Sequence, residues 1–537
     1  MTAPVSGGEP EVLIIGAGPS GLTAAVVLAA HGVAARVVDP ESGPTDQSRA
    51  LVVQARTLEL WDKLGLAAPA VAAGKPMTAV VAYSNGVALG GGRSLLPLGE
   101  LGTGQTPYPF LLVFEQSKTE RLLLDKLRES GGAVDWGVRA EAVTPVDGGV
   151  EVTLRRGSEQ TVEHVRPRWV IGADGASSMV RHALGLGFEG GSYEQAFFLA
   201  DVAVTWSQPP DALYVALTDT GTFLFVPMPT DAGQTPRYRV LGSLLPEMAA
   251  KERLDLADVQ IAIDNHAGVR ATVSDAKWVS LFRLHHRMAE RFRVGNVFLT
   301  GDAAHIHSPV GGQGMNTGIQ DAYNLAWKLA LAARGHAGEA LLDSYASERM
   351  PVARALLSGT DSAFNVIVSD RRLTRLTRRL AAPLLPRALR LARGRTPALF
   401  AKLSQIGISY AIGGAPPPEG GPRPGDRAPH APFLAGEYAG ESVFAVLRGP
   451  DHHLLILDRS QPHPDIPKAV AAVLAAQPIA VHAHAVSGVE TLIHDAYGAV
   501  AATMVLIRPD GYVAWRGPVS DVDGLAVYLE ELVSPAG

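Results

Sequence analysis

The stretch Glu11-Val12-Leu13-Ile14-Ile15-Gly16-Ala17-Gly18-Pro19-Ser20-Gly21-Leu22-Thr23-Ala24-Ala25 decides the fold. Glu11 to Ile15 is a short apolar run, the pattern of a buried parallel strand. Leu22 to Ala30 is rich in Ala, Val and Leu, favours helix, and stops at His31-Gly32. Val33 to Val38 reads as a second strand ending at Asp39. The first 40 residues therefore hold one β-α-β unit with a GxGxxG turn inside it. A carboxylate follows about twenty residues beyond that turn, the context that makes the motif specific for a dinucleotide. Gly16 permits the tight turn, Gly18 lets backbone approach a pyrophosphate, and Gly21 lets helix and strand pack closely. The helix N-terminus that follows supplies N–H groups and a partial positive charge. Asp39 can accept both hydroxyls of an adenosine ribose. A tight glycine turn without a ligand is the competing reading, and the flanking elements argue against it.

Two downstream segments narrow the ligand. Trp169 to Ile171 is a buried strand entering Gly172-Ala173-Asp174-Gly175. Asn296 to Thr300 is another, entering Gly301-Asp302-Ala303-Ala304-His305 and then Ser308-Pro309-Val310-Gly311-Gly312-Gln313-Gly314-Met315-Asn316. Asp302, at a strand end, can accept from a ribityl hydroxyl. The Gly311 to Gly314 loop opens a helix, Ile319 to Ala332, whose positive end can face the N1/C2=O edge of a flavin. That edge becomes anionic on reduction, so the helix would stabilise the reduced state. The dinucleotide is read as FAD.

The rest of the sequence limits the alternatives. The chain has 537 residues, 47% hydrophobic and 19% charged, and a net charge of -6. This length predicts two or three domains. The mild negative charge argues against a nucleic-acid partner. No cysteine is present, which excludes disulfides, thiolate metal sites and a CxxC redox pair. No basic, apolar leader opens the chain and no apolar run is long enough to span a bilayer, so a cytoplasmic protein without a membrane partner is expected. His305 and His307 raise a metal reading, but a metal needs more ligands, and no HExxH accompanies them.

Between the motifs, Arg56 to Gly65 and Thr119 to Glu129 have helical spacing. Met77 to Gly104 is Gly-rich and irregular, with a strand-like piece at Thr78 to Ala82. Ala196 to Leu245 alternates as antiparallel sheet, which can supply an aromatic-lined wall. Tyr193, Tyr214, Phe223, Phe225, Arg283 and His285 fall in this presumed substrate region, where core packing explains the same residues. Tyr214 and Phe225 are chosen as pocket lining. Arg371 to Arg395 is basic and leucine-rich and is read as a linking helix with its basic face in water, a membrane-surface helix being the alternative. Gly413 to Pro432 reads as a Pro/Gly linker. Ser442 to Gly537 alternates strands and helices as a separate small α/β domain. No internal repeat is visible.

In order and spacing, GAGPSG, GADG and GDAAH–GGQGMN resemble the FAD-dependent aromatic hydroxylases, the single-component flavoprotein monooxygenases of the para-hydroxybenzoate hydroxylase type. The resemblance covers about residues 11 to 410. The tail from Gly421 to Arg508-Pro509-Asp510-Gly511-Tyr512 is similar to the thioredoxin-like C-terminal domain of the phenol and polyketide hydroxylase branch. The fold implied is α/β: a Rossmann-like FAD-binding domain (1–76, 105–190 and 286–410, with the linking helix), an antiparallel-sheet substrate domain (77–104 and 191–285) and the thioredoxin-like domain (421–537). Lacking cysteine, that last domain is expected to serve packing or oligomer contacts, such as those of a homodimer.

The resemblance also implies site residues. Gly16, Gly18, Pro19, Ser20 and Gly21 wrap the pyrophosphate and Asp39 takes the ribose. Arg49 and Gln116 contact FAD from neighbouring segments. Asp174 belongs to a motif that touches FAD and is associated with NAD(P)H. Gly301 and Asp302 take the ribityl chain. Gly312, Gly314, Met315 and Asn316 lie along the isoalloxazine, and Pro309 offers a carbonyl near the reacting flavin. Pro309 and Tyr214 stand as the catalytic candidates. No second GxGxxG is present, so NAD(P)H, preferably NADPH, is expected to bind transiently. The implied reaction is O2-dependent hydroxylation of a phenolic or polycyclic, polyketide-like aromatic through a flavin C4a-hydroperoxide. Baeyer–Villiger insertion, epoxidation and antibiotic inactivation on the same fold remain alternatives, as does a non-catalytic flavin-binding module.

Overall fold

Val12–Ile15 (β1) carries no polar side chain and is fully buried, which fixes it as a central strand of a parallel sheet. In the computed structural model, which describes residues 10–45, 50–157, 161–219, 221–230, 233–244, 248, 251–307, 311–368, 396–411, 420–462 and 465–534, β1 lies between Trp169–Gly172 and Ala35–Asp39 (β2). The six-stranded order is Arg293–Val294, Val297–Leu299, Trp169–Gly172, β1, β2, Val134–Trp136. All pairings are parallel except that of the first two strands. The helix Pro19–Ala30 (α1) follows β1 with proline in its first turn, where the missing N–H is no loss. Ala55–Lys63 (α2) and Gln116–Glu129 (α3) complete this part of the domain.

The second sheet has nine strands and draws on both halves of the chain. Its long strands, Phe188–Thr205 and Thr272–Ala289, pair antiparallel. They run three or four residues past the domain boundaries expected near 190 and 285. Ala79–Ser84, from the stretch read as irregular, joins the same sheet by a parallel pairing with Leu213–Leu217. Side chains alternate between two faces. One face, with Phe198, Ala200, Tyr214, Phe223, Phe225, Tyr238 and Val240, packs against the helix Leu256–His266 (α4). On the other, Leu213 and Val226 pack with Leu51, Met77 and Val113 of the FAD-binding side.

Gly314–Ala333 (α5) is the most enclosed long helix of the described residues. Glu339–Val368 (α6) packs beside it, and Thr396–Leu403 (α7) returns toward it. The basic stretch 371–395 lies outside the described residues, so its linking-helix reading receives no structural account. The C-terminal sheet has the order Val481–Val486, His452–Leu457, Thr503–Ile507, Val513–Pro518, with the first pair parallel and the others antiparallel. The stretch expected as a linker is ordered packing over 420–432. Asp426 bridges Ser409, and Arg427 bridges Tyr512.

A buried ionic network joins the C-terminal domain to α5 and α6. Glu348 accepts from Arg508 Nη1 at 2.6 Å, Arg508 Nη2 at 2.9 Å and Lys328 Nζ at 2.7 Å. Arg508 also donates to both Asp510 oxygens, and Arg427 Nη1 reaches Glu59 of α2 at 2.9 Å. Burial favours a neutral Glu348, but Arg508 and Lys328 outweigh it and hold the carboxyl well below the usual range. Burial lowers the Lys328 ammonium to about 8, against the pull of Glu348. Removing one partner from such a pair strands the other charge, a loss of about 3–5 kcal/mol. Arg508→Met is therefore expected to unfold at markedly lower temperature than wild type in a thermal melt, with the α5–α6 core and C-terminal domain melting together.

Candidate functional site

Three motif loops leave three adjacent parallel strands at the same edge. Ile15 is in register with Gly172, and Gly172 with Leu299. The loops starting at Gly16, Ala173 and Thr300 thus emerge side by side beyond the strand ends, where open α/β sheets bind ligands. Close packing then fixes their depth. Gly16 has φ +106, and a Cβ there would lie 2.3 Å from the Ala173 carbonyl oxygen. A Cβ on Gly21 would lie 1.9 Å from the Gly16 oxygen, whereas one on Gly18 meets nothing within 4 Å. The first and third glycines close the turn on protein, and the middle one faces open space.

The same constraint joins the two helix starts. A Cβ on Gly318 of α5 would lie 2.5 Å from Ser20 Oγ of α1 and 3.0 Å from Gly301 Cα. Two helix N-termini therefore converge beside the Gly301-Asp302 turn. Neither is capped by a side chain, and neither has an acidic residue in its first turn. Their first N–H groups remain available to an anion or carbonyl. Asp39 closes the glycine loop, its two oxygens accepting from Ala17 N–H at 2.7 Å and Glu41 N–H at 2.9 Å. Asp174 accepts from Val180 N–H at 3.1 Å, and burial pushes its carboxyl upward. Asp302 is exposed at the strand end.

Other candidates are bonded within the protein. The Asn316 carboxamide is fully buried. It accepts from Gln54 N–H and Thr57 Oγ1, both at 2.8 Å, and donates to the Val52 and Gly312 carbonyls, both at 2.8 Å. It stitches residues 52–57 to the Gly311–Gly312 turn, leaving only its backbone to face a flavin. Gln116 accepts from Ala50 N–H at 3.2 Å and donates to Glu120 at 3.0 Å. His305 Nε2 bonds Asp321 at 2.7 Å, and Asp321 also binds Arg349 Nε at 2.6 Å. Burial favours a neutral Asp321, but Arg349 and His305 hold it below its ordinary value. Among the described residues no group of three or more His, Asp or Glu is arranged to hold a metal ion. Arg49 and Pro309 lie outside the described residues, as do the side chains of Tyr193 and Arg283.

Tyr214 and Phe225 do not line the expected pocket. Both are buried on the α4 face of the large sheet, in an aromatic cluster with Trp206 and Tyr238. The Tyr214 hydroxyl donates to the Pro209 carbonyl at 2.6 Å. The opposite face, toward the FAD-binding side, carries Leu199, Leu224 and Leu241 on one rung. These leucines are partly exposed. Beside them lies the buried pair Arg239–Asp201, at 2.6 and 2.7 Å, with Trp278 against the guanidinium. Alternation marked both faces in the sequence but not which one α4 covers. Arg181 also escaped notice. It donates to the Ala303 and Ala176 carbonyls, both at 2.9 Å, tying two motif loops together.

Residues 9–360 match the family described as FAD binding domain, and residues 421–536 match aromatic-ring hydroxylase, C-terminal. The chain belongs to the FAD-binding aromatic-ring hydroxylases. It is 33% identical over 533 residues to the 6-methylpretetramide 4-monooxygenase of Streptomyces rimosus, covering 97% of this chain and 93% of that one. The solved anhydrotetracycline hydroxylase of Streptomyces rimosus superposes with a TM-score of 0.78 at 28% identity, covering 98% and 99% of the two chains. A ternary complex of aklavinone-11 hydroxylase with FAD and aklavinone gives 0.77 at 26% identity, covering 98% and 100%.

In this FAD-binding hydroxylase the glycine cradle and the two uncapped helix starts fit FAD. The α1 end suits the pyrophosphate, and the α5 end suits the flavin pyrimidine edge. Losing a hydrogen bond to a charged group weakens binding by about 1.5–3 kcal/mol, or roughly tenfold to a hundredfold. Asp302→Ala is expected to weaken FAD by that factor, leaving protein that bleaches on dialysis, with an unchanged melting temperature of the apoprotein.

Proposed function

We infer that this chain is an NAD(P)H-driven monooxygenase that hydroxylates a phenolic or polycyclic, polyketide-like aromatic. FAD would supply the chemistry, passing electrons from NAD(P)H to O2 and one oxygen atom to the ring. The balance is NAD(P)H + H⁺ + O2 + ArH → NAD(P)⁺ + H2O + ArOH. The chain's own residues bind, orient and exclude water. One observation carries the substrate class. A large sheet presents partly exposed leucines, Leu199, Leu224 and Leu241, in a flat row toward the FAD-binding side. Partly exposed leucines in mid-sheet suit a flat apolar ligand. The 6-methylpretetramide monooxygenase and the anhydrotetracycline hydroxylase to which the chain is similar support the same class.

The N–H groups at the α5 start would favour negative charge at the reacting edge of the flavin. Pro309 remains the proposed source of a carbonyl at this place. NADPH is the proposed reductant, binding transiently. The test is a panel of phenols and polycyclic aromatics screened for stimulated NAD(P)H oxidation in the FAD-loaded protein, with peroxide assayed in parallel. A product heavier by one oxygen with its ring retained supports hydroxylation. Ring expansion or opening would point to insertion, and no stimulation by any aromatic would oppose the substrate class. Leu241→Arg is expected to raise the aromatic substrate's KM about tenfold or more while FAD content stays at the wild-type level.

A further inference from the structure

Among the described residues only three non-glycine residues have positive φ: Asn85, Asp275 and Gln405. Asn85 and Asp275 are exposed, and both residue types tolerate this region. Gln405 differs. It is 4% exposed, has φ +63, and follows the end of α7, where glycine is the residue that relieves the backbone. Its side chain shows what the strain accompanies. Gln405 Nε2 donates to Thr317 Oγ1 at 2.9 Å, and Gln405 Oε1 accepts from Gln320 Nε2 at 2.6 Å. Both partners lie on consecutive turns of α5.

The contact closes a ring around the start of that helix. The Thr317 hydroxyl in turn donates to the Gln313 carbonyl at 2.8 Å. Gln313 is the N-cap residue of α5, and its Nε2 reaches back to the Lys402 and Leu403 carbonyls at 3.4 and 3.3 Å. From the other side Gln54 Nε2 holds the Gly311 carbonyl at 2.7 Å. The flavin-facing turn is thus held by chain about 90 residues downstream, just before the C-terminal domain.

We propose that Gln405 is a positioning residue for FAD: it clamps the segment after α7 onto Thr317 and Gln320 and so fixes the Gly311–Gly314 turn and the first N–H groups of α5. A strained, buried, non-glycine residue persists only where its surroundings over-determine it. Here the carboxamide supplies what glycine lacks. The inference rests on FAD binding at the α5 start.

The test separates backbone from contact. Gln405→Gly removes the strain together with both hydrogen bonds. Gln405→Met keeps the reach and removes the bonds alone. FAD dissociation constant, flavin midpoint potential and apoprotein melting temperature are measured for each, and for Thr317→Val as the reciprocal change. The expected result is FAD affinity weakened about tenfold in both Gln405 variants and a lower midpoint potential, because anionic reduced flavin loses support from the helix start. The apoprotein of Gln405→Gly should melt no lower than wild type. Unchanged affinity and potential in both variants, with or without a fall in melting temperature, would overturn the proposal. Failure of the wild-type protein itself to bind FAD would instead remove the reading beneath it.

Discussion

Everything at this site depends on Gly301 and Gly318 having no side chain where they meet Ser20. A Cβ at Gly318 would strike Ser20 Oγ, so the bare glycines let the two helix starts approach beside a strand-end carboxylate. One start by itself would be an anion site. Two starts, facing one edge of a parallel sheet, suit a long molecule with a diphosphate at its middle and an electron-poor ring at one end. The sheet supplies the spacing: adjacent strands lie about 4.8 Å apart, so loops from β1, Trp169–Gly172 and Val297–Leu299 span one extended ligand.

Around this centre the chain adds supports drawn from remote segments. Asn316 sews residues 52–57 to the flavin-facing turn, Arg181 ties the second motif loop to the third, and Gln405 brings in the segment beyond α7. The C-terminal domain joins the same scheme through Arg508, Asp510 and Arg427, which dock on α2, α5 and α6. Its lack of cysteine excludes dithiol chemistry. Its buried ion pairs give it a packing role against the helix that carries the site.

The cofactor side was legible in the sequence because its physics is local. A short apolar strand, a glycine turn and a helix start are contiguous, and each glycine has a steric reason that a reader can state without coordinates. The substrate side was not legible in the same way. Alternation in residues 196–245 revealed a sheet, yet Tyr214 and Phe225 occupy the face that α4 covers, and only the fold decides which face that is. Leu199, Leu224 and Leu241 carry no motif that would single out the open face. Gln405 was invisible for another reason: a lone glutamine carries no pattern, and its backbone conformation and distant partners appear only in three dimensions.

The two helix starts form one site for one cofactor. Calorimetric titration of the apoprotein with FAD, FMN and ADP distinguishes one shared site from two. FAD should bind with one site per chain and far more tightly than either fragment, because only it engages both starts at once. FMN binding as tightly as FAD, or FMN and FAD binding together without competition, would contradict a shared site.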